Sequence, residues 1–537
     1  MRRAIAVPFV LAALALQGSD PTSAAGKRWW SHVTTLSSDM LQGRDAGSEG
    51  HRTAAEYVAG QFKAAGLEPG NKGQFLQPVA LESRAIDEAS SSIALIDAQG
   101  KEVPVKLGEQ AYFNVRIDLA PEIDAPLVFA GNGLSVPSEN HDDLAGLDLK
   151  GKVVVYISGA PSTLPGAVQA HNSSSAVRAK ALADAGAVGA IAISNPKNQD
   201  LPWERASGAR LQPAMTLADP ALDTSKLLRF GAAFNPAHAQ MLFEGAPQSL
   251  AQLLAIADRR EKLPGFPLAF RVRAKAAVRR ASLTSDNVVG LLEGSDRRLR
   301  NEYVVLTAHL DHIGVNPNLK GDQINNGAMD NASGIATLIE TARDLSSGRV
   351  LRRPSRSILF VAVTAEEKGL LGSRYFANRP PVPAGSMVAN VNMDMFLPLH
   401  PMTLVMAMGL EESTLRKPLE EAAKGLGLRV QPDPEPLRNR FIRSDQYNFI
   451  LRGIPALALK VGYEEGSPQE KLQKEWIRTR YHAPGDDAAQ PVDFDAAVTF
   501  NRLIRELALG IANEKKRPEW NKDSFFRQFA PASSKRK

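Results

Sequence analysis

The stretch YVVLTAHLD at residues 303–311 decides the fold of the larger part of this chain. Its first six residues are apolar or aromatic apart from one threonine, which predicts a strand that is buried on both faces. Further strands are predicted at 358–363, 388–393 and 454–461, with helices at 335–345 and near 496–511. This alternation predicts an α/β sheet that is covered by helices on both faces.

Polar side chains follow these predicted strands at the points where they end. They are His309, Asp311, Glu366, Glu367 and Asp394, with Asp330 before the helix at 335–345 and His482 in the loop YHAPGD at 481–486. In an open α/β sheet, ligands bind in the crevice beyond the carboxyl ends of the strands. The pattern therefore predicts that these side chains converge on one crevice.

The residue types favour a pair of zinc ions. Zinc binds imidazole and carboxylate ligands, and a single catalytic zinc takes about three of them from the protein. Two histidines and three or more carboxylates fit two metals about 3.5–4 Å apart if one carboxylate bridges them. Adjacent glutamates suit such a site, because one can bind metal while the other acts as general base on the water that the metal holds.

Each of these signals is weak when taken alone. An H-x-D pattern also occurs at His141 and Asp143, and Asp330 by itself would read as a helix cap. The competing motifs H-E-x-x-H, G-x-S-x-G and the phosphate-binding P-loop do not occur in the sequence. The prediction of a metal site depends on the joint pattern.

The segments that carry these residues resemble the co-catalytic zinc exopeptidases, the family of secreted bacterial leucyl-type aminopeptidases and of glutamate carboxypeptidase. In the family's order, the matching segments are HLD at 309–311, GAMDNASG at 327–334, TAEEKGLLGS at 364–373, NMD at 392–394 and YH at 481–482. The resemblance implies a mixed, mostly parallel sheet and an exopeptidase that uses two zinc ions.

The resemblance also implies a role for each matched position. His309 and Asp394 would hold one zinc, and Glu367 and His482 would hold the other. Asp330 would bridge the two metals, with a cis peptide bond to Asn331. Glu366 would be the general base, Asp311 would orient His309, and Tyr481 would donate a hydrogen bond to the oxyanion of the transition state.

The rest of the chain divides by composition. Residues 26–124 resemble the start of the same peptidase domain. Residues 125–250 form a small α/β module that resembles an inserted protease-associated domain, from GKVVV at 151–155 and GAVGA at 186–190. Residues 251–284 lead back to the main peptidase region at 285–512, and 513–537 read as a basic, solvated C-terminal tail.

The first 25 residues have the pattern of a signal peptide. Arg2 and Arg3 precede an apolar run at 4–16, and small residues at 23–25 suit cleavage before Gly26. The apolar run is too short to span a bilayer, and no later segment is long and apolar enough to do so. We therefore expect export to a bacterial periplasm or to the exterior.

Composition excludes several classes of protein. The 537 residues are 44% hydrophobic and 23% charged, which is typical of a globular protein. The absence of cysteine excludes disulfides, a thiol nucleophile and cysteine-based metal sites. The net charge of +6 is too small to indicate a nucleic-acid partner.

Several activities remain open. An aminopeptidase acting on peptides with a free N-terminus is favoured. A carboxypeptidase or dipeptidase would need cationic groups for a substrate carboxylate, which Arg438, Arg440 and Arg443 could supply. A metal-free binding protein with the same fold would lack ligands that are present here. A glutaminyl-cyclase-like acyl transferase would need one zinc only.

Overall fold

The computed structural model describes residues 21–198, 202–347, 353–438 and 440–531. The predicted signal peptide lies outside these residues except for its last five positions, and so does the end of the basic tail. Within the described ranges, no helix combines the length and the apolar character that crossing a membrane requires.

The secondary structure of the described residues alternates between strands and helices along the chain. The strands are β1 (Glu68–Pro69), β2 (Leu76–Ile86), β3 (Ser92–Ile96), β4 (Glu102–Val105), β5 (Ala111–Phe113), β6 (Glu122–Ala130), β7 (Ser135–Val136), β8 (His141–Asp142), β9 (Val153–Ile157), β10 (Gly189–Ile193), β11 (Ala214–Leu217), β12 (Phe230–Phe234), β13 (Gly265–Lys275), β14 (Val278–Leu292), β15 (Tyr303–His309), β16 (Ser357–Val363), β17 (Met387–Asn392), β18 (Leu404–Met408), β19 (Arg429–Pro432) and β20 (Ala456–Val461). The helices are α1 (Pro21–Leu36), α2 (Glu49–Ala64), α3 (Gly166–Ser173), α4 (Ser175–Asp184), α5 (Trp203–Gly208), α6 (Leu250–Asp258), α7 (Ser333–Ser346), α8 (Leu371–Asn378), α9 (Arg416–Gly425), α10 (Gln446–Ile450), α11 (Pro468–Thr479) and α12 (Phe494–Asn513).

The larger sheet has the strand order β11-β2-β14-β16-β15-β17-β20-β18-β19 in the described part of the chain, with β1 paired to β14. Its central strands β16, β15, β17 and β20 run parallel, as does the pair β18–β19, and the remaining neighbours pair antiparallel. The mixed sheet agrees with the prediction. Strand β16 is buried at every position, as expected of a central strand with both faces covered.

Helices cover both faces of this sheet, as predicted. On one face, the buried side chains of α1, α2, α7, α9 and α12 pack against alternate residues of the central strands, such as Leu306 and Phe360. On the other face, Phe376 of α8 and Phe449 of α10 pack against Val305 and Val361. Because successive strand residues point to opposite faces, a continuous apolar strand packs against the helices on both faces of the sheet.

A second sheet lies outside the larger one, and it extends beyond the 125–250 module that we expected. Its order is β4-β3-β13-β6-β9-β10-β12-β5 in the described residues, so β3, β4 and β5 precede residue 125 and β13 follows residue 250. Strand β13 alternates strictly between exposed and buried residues, which is typical of an antiparallel strand with one wet face. Its pairing with β3 and β6 joins distant segments that sequence patterns alone do not connect.

The two sheets are joined by more than a flexible linker. The long strands β2 and β14 pair along 11 positions, from Leu76 opposite Val288 to Ile86 opposite Val278, and so lead out of the larger sheet toward the second one. The short strand β11, which lies in sequence between strands of the second sheet, pairs with β2 in the larger sheet. The unit built around the second sheet, which we call the smaller unit, is therefore tied to the larger sheet by backbone hydrogen bonds.

The C-terminal segment differs from the solvated tail that we expected from its charge. Trp520 and Phe526 are buried, with 6% and 0% of their surfaces exposed. The Phe526 ring lies 5.4 Å from that of Phe441 and 5.8 Å from that of Trp520, measured between centroids. Aromatic side chains bury a large apolar surface, so a few of them dock the segment despite the lysines and arginines around them.

We expect Phe526→Ala to lower the free energy of unfolding by about 3–5 kcal/mol, because it removes a fully buried aromatic ring and leaves a cavity. The exposed residue Lys522 supplies the control Lys522→Ala, which should leave stability nearly unchanged. Scanning calorimetry would compare the two melting temperatures. Equal melting temperatures would show that residues 514–531 do not dock in solution.

Candidate metal centre

The register of the parallel strands brings the predicted ligands to one edge of the sheet. His309 is the last residue of β15 and lies opposite Val363 at the end of β16, just before Glu366 and Glu367. On the other side, Thr307 lies opposite Asn392, which places Asp394 level with His309. The predicted convergence at the carboxyl ends of the strands is therefore present in the structure.

Asp330 lies at the middle of the cluster, with one carboxylate oxygen toward each half. Its Oδ1 is 3.2 Å from Nε2 of His309, and its Oδ2 is 3.3 Å from Nε2 of His482. His309 Nε2 is also 3.4 Å from Oδ1 of Asp394, and His482 Nε2 is 3.1 Å from Oε2 of Glu367. The five predicted metal ligands thus form two sets that share Asp330.

The charges of the cluster suit cations. Burial alone lowers the pKa of His482, but the carboxylates of Glu367 and Asp330 outweigh it and raise that pKa to about 10. The pKa of Asp330 is held well below its usual range, because its hydrogen bonds to His309 and His482 outweigh the effect of burial. Three carboxylates and two imidazoles in a buried crevice are a donor set that zinc accepts.

The loop that carries Asp330 is shaped by backbone requirements. Gly327 has φ +63°, and a Cβ at this position would lie 2.2 Å from the Asp330 carbonyl oxygen, so a side chain is excluded. The Asp330–Asn331 peptide bond is cis, as predicted. The Asn331 amide then donates to the Met393 carbonyl at 2.9 Å, which ties this loop to the end of β17.

Asp311 contacts His309 through its backbone, whereas a contact through its carboxylate is the simplest expectation. Its backbone carbonyl oxygen, rather than its carboxylate, lies 3.0 Å from Nδ1 of His309, which leaves Nε2 to face Asp330. Its carboxylate accepts the backbone N–H groups of Glu366 and Glu367 at 3.0 and 3.2 Å. Burial raises the pKa of Asp311 to about 7. Asp311 therefore contacts both His309 and the turn that carries the glutamate pair.

Glu366 and Tyr481 line the same cavity as the ligands, which has a volume of about 440 Å³. Burial raises the pKa of Glu366 well above its usual range, and the neighbouring carboxylates of Glu367 and Asp394 act in the same direction. Burial likewise raises the pKa of Tyr481, so its phenol keeps its proton. Both side chains can therefore exchange or donate protons inside the cavity.

Two residues beside the cluster were missed by the sequence analysis. His312 is fully buried, and its Nδ1 lies 2.9 Å from Oε1 of Glu367, which leaves Oε2 of that carboxylate for His482. Asp486 accepts the backbone N–H groups of Met329 and Asp330 at 2.9 and 3.0 Å. Their proximity to predicted ligands, in HLDH at 309–312 and YHAPGD at 481–486, was the available signal.

Two arginines that lie in sequence between strands of the second sheet also contact the site. Arg116 donates to the Glu367 carbonyl oxygen at 2.8 Å, and Arg205 donates to the Tyr481 carbonyl oxygen at 2.8 Å. The first contact holds the turn after β16, and the second holds the loop that carries His482. The smaller unit therefore reaches both ends of the Glu367–His482 pair.

The three arginines considered as a carboxylate clamp all line the cavity. Arg440 forms ion pairs with Asp433 at 2.8 Å and with Glu435 at 3.1 Å. Arg438 pairs with Glu435 at 3.1 Å, and Arg443 donates weakly to the Arg438 carbonyl oxygen at 3.4 Å. Protein groups therefore already engage these cations, which weakens the case for Arg440 as a clamp.

We expect Asp486→Asn to weaken zinc binding about 10- to 100-fold, as loss of an outer contact to a metal ligand typically does. The amide can accept from one of the two N–H groups and repels the other. Zinc affinity would be measured by calorimetric titration. Asp487→Asn is the matched control, because the Asp487 carboxylate accepts from Ala489 and does not contact the cluster. Equal affinities in both variants would contradict this role of Asp486.

Comparison with known proteins agrees with the sequence resemblance. The model of Peptidase family M28 matches residues 287–508. A probable zinc metalloprotease of Pyrenophora teres f. teres is 35% identical over 109 residues, which is 20% of this chain and 22% of that protein. Leupeptin-inactivating enzyme 1 of Streptomyces exfoliatus is 28% identical over 36% of this chain and 39% of that enzyme. These matches span well under half of either relative.

The fold of nearly the whole chain is similar to that of a solved aminopeptidase. The aminopeptidase from Aneurinibacillus sp. strain AM-1 matches with a TM-score of 0.54 and 19% identity, over 90% of this chain and 94% of that structure. At this identity the likeness concerns the fold. The family match covers all the predicted ligands and the glutamate pair. Over residues 287–508, the chain is similar to peptidase family M28.

Proposed function

We propose that this protein is a zinc-dependent exopeptidase, and that it removes residues from the N-terminus of peptides. The observation that carries the proposal is the position of Asp330 between two sets of ligands, with one carboxylate oxygen facing each set. This arrangement supports two zinc ions, one held by His309 and Asp394 and the other by Glu367 and His482. The match of residues 287–508 to the model of Peptidase family M28 supports the reaction class.

The chemistry would be divided between the metals and the cavity walls. Bound zinc would act as a Lewis acid that polarises the scissile carbonyl and lowers the pKa of a water to about 7. We assign Glu366 as the base that takes the proton of the attacking water and later delivers it to the leaving amine. Its raised pKa suits this exchange near neutral pH. Tyr481 would donate a hydrogen bond to the carbonyl oxygen as negative charge develops there.

The charges that line the cavity favour cleavage at the N-terminus of a peptide over cleavage at its C-terminus. The carboxylates of Glu366, Glu367 and Asp394 line the cavity, and their negative charge would favour a free α-amine. Among the three arginines that a carboxypeptidase could use, Arg440 is already paired with Asp433 and Glu435. A carboxypeptidase or dipeptidase of the glutamate carboxypeptidase type stays the alternative. The full ligand set disfavours a metal-free binding protein and a one-zinc acyl transferase.

The remaining assignments are also part of the proposal. We infer that the unit around the second sheet is an inserted protease-associated domain, since it combines a parallel β6-β9-β10-β12 layer with helices α3 and α4. Its Arg116 and Arg205 place it at the edge of the cavity. We also infer export to a bacterial periplasm or exterior by the signal peptide at 1–25.

A short peptide with both termini free should lose residues from its N-terminus when it is incubated with the protein and zinc. An N-acetylated copy should resist cleavage, because acetylation removes the α-amine, whereas a C-amidated copy should be cleaved. Mass spectrometry of the products would distinguish the two ends. Trimming that only amidation blocks would establish the carboxypeptidase alternative.

Glu366→Gln should lower kcat by about 10²- to 10⁴-fold, the usual contribution of a general base. The amide keeps the size of the side chain but cannot take a proton. Zinc content, measured by elemental analysis, should stay at the wild-type level because Glu366 is not among the proposed ligands. A variant that loses zinc together with activity would make Glu366 a ligand instead.

A further inference from the structure

Lys460 is a partly buried cation at the carboxyl end of the central strands. In β20, Ala458 lies opposite Asn392 of β17, so Lys460 lies level with Asp394, two residues farther along both chains. Burial lowers the pKa of Lys460, and the nearby charges of Asp394 and Asp330 act in the opposite direction. The side chain lines the cavity that holds the ligands, Glu366 and Tyr481.

In the described part of the chain, the ammonium group of Lys460 forms no side-chain hydrogen bond and no ion pair, although the charges of Asp394 and Asp330 act on it from a longer distance. The other cations of the cavity wall differ in this respect. Arg440 is bound by Asp433 and Glu435, and Lys474 at the rim is bound by Glu470 at 2.7 Å. An ammonium group that lines a cavity without a direct protein partner can bind an anion from outside, and Lys460 is placed to do so.

The surfaces around Lys460 suit a short acidic side chain. Met395, Leu397, Met408 and Ala458 give the same cavity an apolar wall next to the metal ligands. Ala458 and Lys460 lie two residues apart on one strand and so on the same face. The methylene groups of a glutamate can pack on this wall while its carboxylate reaches the ammonium.

We propose that Lys460 binds a carboxylate of the peptide substrate, which makes the enzyme selective for acidic peptides. Two sources share this chemistry: the side chain of an N-terminal Glu or Asp, and the C-terminal carboxylate of a very short peptide. The inference rests on the proposed peptidase function. It assigns Lys460 a direct contact with substrate, rather than a role confined to offsetting the charge of Asp394.

The test compares pairs of peptides that differ in one charge. One pair carries N-terminal Glu or Gln and is amidated at its C-terminus. The other pair is Leu-Gly and Leu-Gly amide. The ratio of kcat/KM within each pair is measured for the wild type, Lys460→Met and Lys474→Met at saturating zinc. Since both members of a pair see the same metal occupancy, an effect of Lys460 on Asp394 cancels in the ratio.

We expect the wild type to favour the charged member of one pair by about 10- to 100-fold, as a charge-assisted hydrogen bond would give. Lys460→Met should bring that ratio close to one, and Lys474→Met should leave it unchanged although it removes the same charge. Loss of the Glu preference identifies the acidic side chain as the source. Loss of the Leu-Gly preference identifies the C-terminal carboxylate.

The proposal fails if the wild type cleaves both members of each pair equally, or if Lys460→Met leaves both ratios unchanged. It also fails if Lys474→Met lowers the ratio as much as Lys460→Met, since the effect would then be one of overall charge. A wild type that cleaves none of the four peptides, while zinc is bound, contradicts the proposed function itself. Circular dichroism would confirm that both variants are folded.

Discussion

The carboxylate of Asp330 is buried between two imidazoles that come from distant parts of the chain, at 3.2 Å from His309 and 3.3 Å from His482. A carboxylate in such a place is strongly destabilising unless opposite charge and hydrogen-bond donors surround it. The fold supplies them through several elements. The strand β15 brings His309, the loop after α11 brings His482, and Asp486 fixes the backbone of Asp330 itself. The central sheet, its loops and the cavity are arranged around this one group.

Much of this arrangement was predictable because it follows local rules. Apolar strands of six or seven residues predict a sheet that is covered on both faces. Polar residues at the ends of these strands predict a site at the carboxyl edge of the sheet. Asp330 and His482 lie on loops, so their position depends on the whole motif rather than on periodicity. The segments around them, GAMDNASG at 327–334 and YH at 481–482, resemble those of the zinc exopeptidases, and this resemblance predicted that both residues belong to the site.

Other features arise from contacts between segments far apart in sequence, and local patterns do not encode those. In the second sheet, β13 pairs with β3 and β6. The unit built around this sheet therefore extends well beyond residues 125–250. Phe526 docks a segment whose charge suggested a solvated tail. His312 follows the end of β15 in sequence, but its place beside the ligands depends on its contact with Glu367, which comes from a distant segment.

The smaller unit also contacts the loops that carry the predicted ligands. Arg116 and Arg205 donate to the carbonyl oxygens of Glu367 and Tyr481, so they hold the backbone of the proposed second zinc site from outside the larger sheet. A guanidinium that binds a carbonyl oxygen fixes a loop without adding a charge to the ligand cluster itself. Because β11 and the strands β2 and β14 tie this unit to the larger sheet, these contacts are held by hydrogen-bonded strands. The backbone on both sides of the Glu367–His482 pair is thus held by the smaller unit as well as by the larger sheet, and the paired strands fix the position of the one relative to the other.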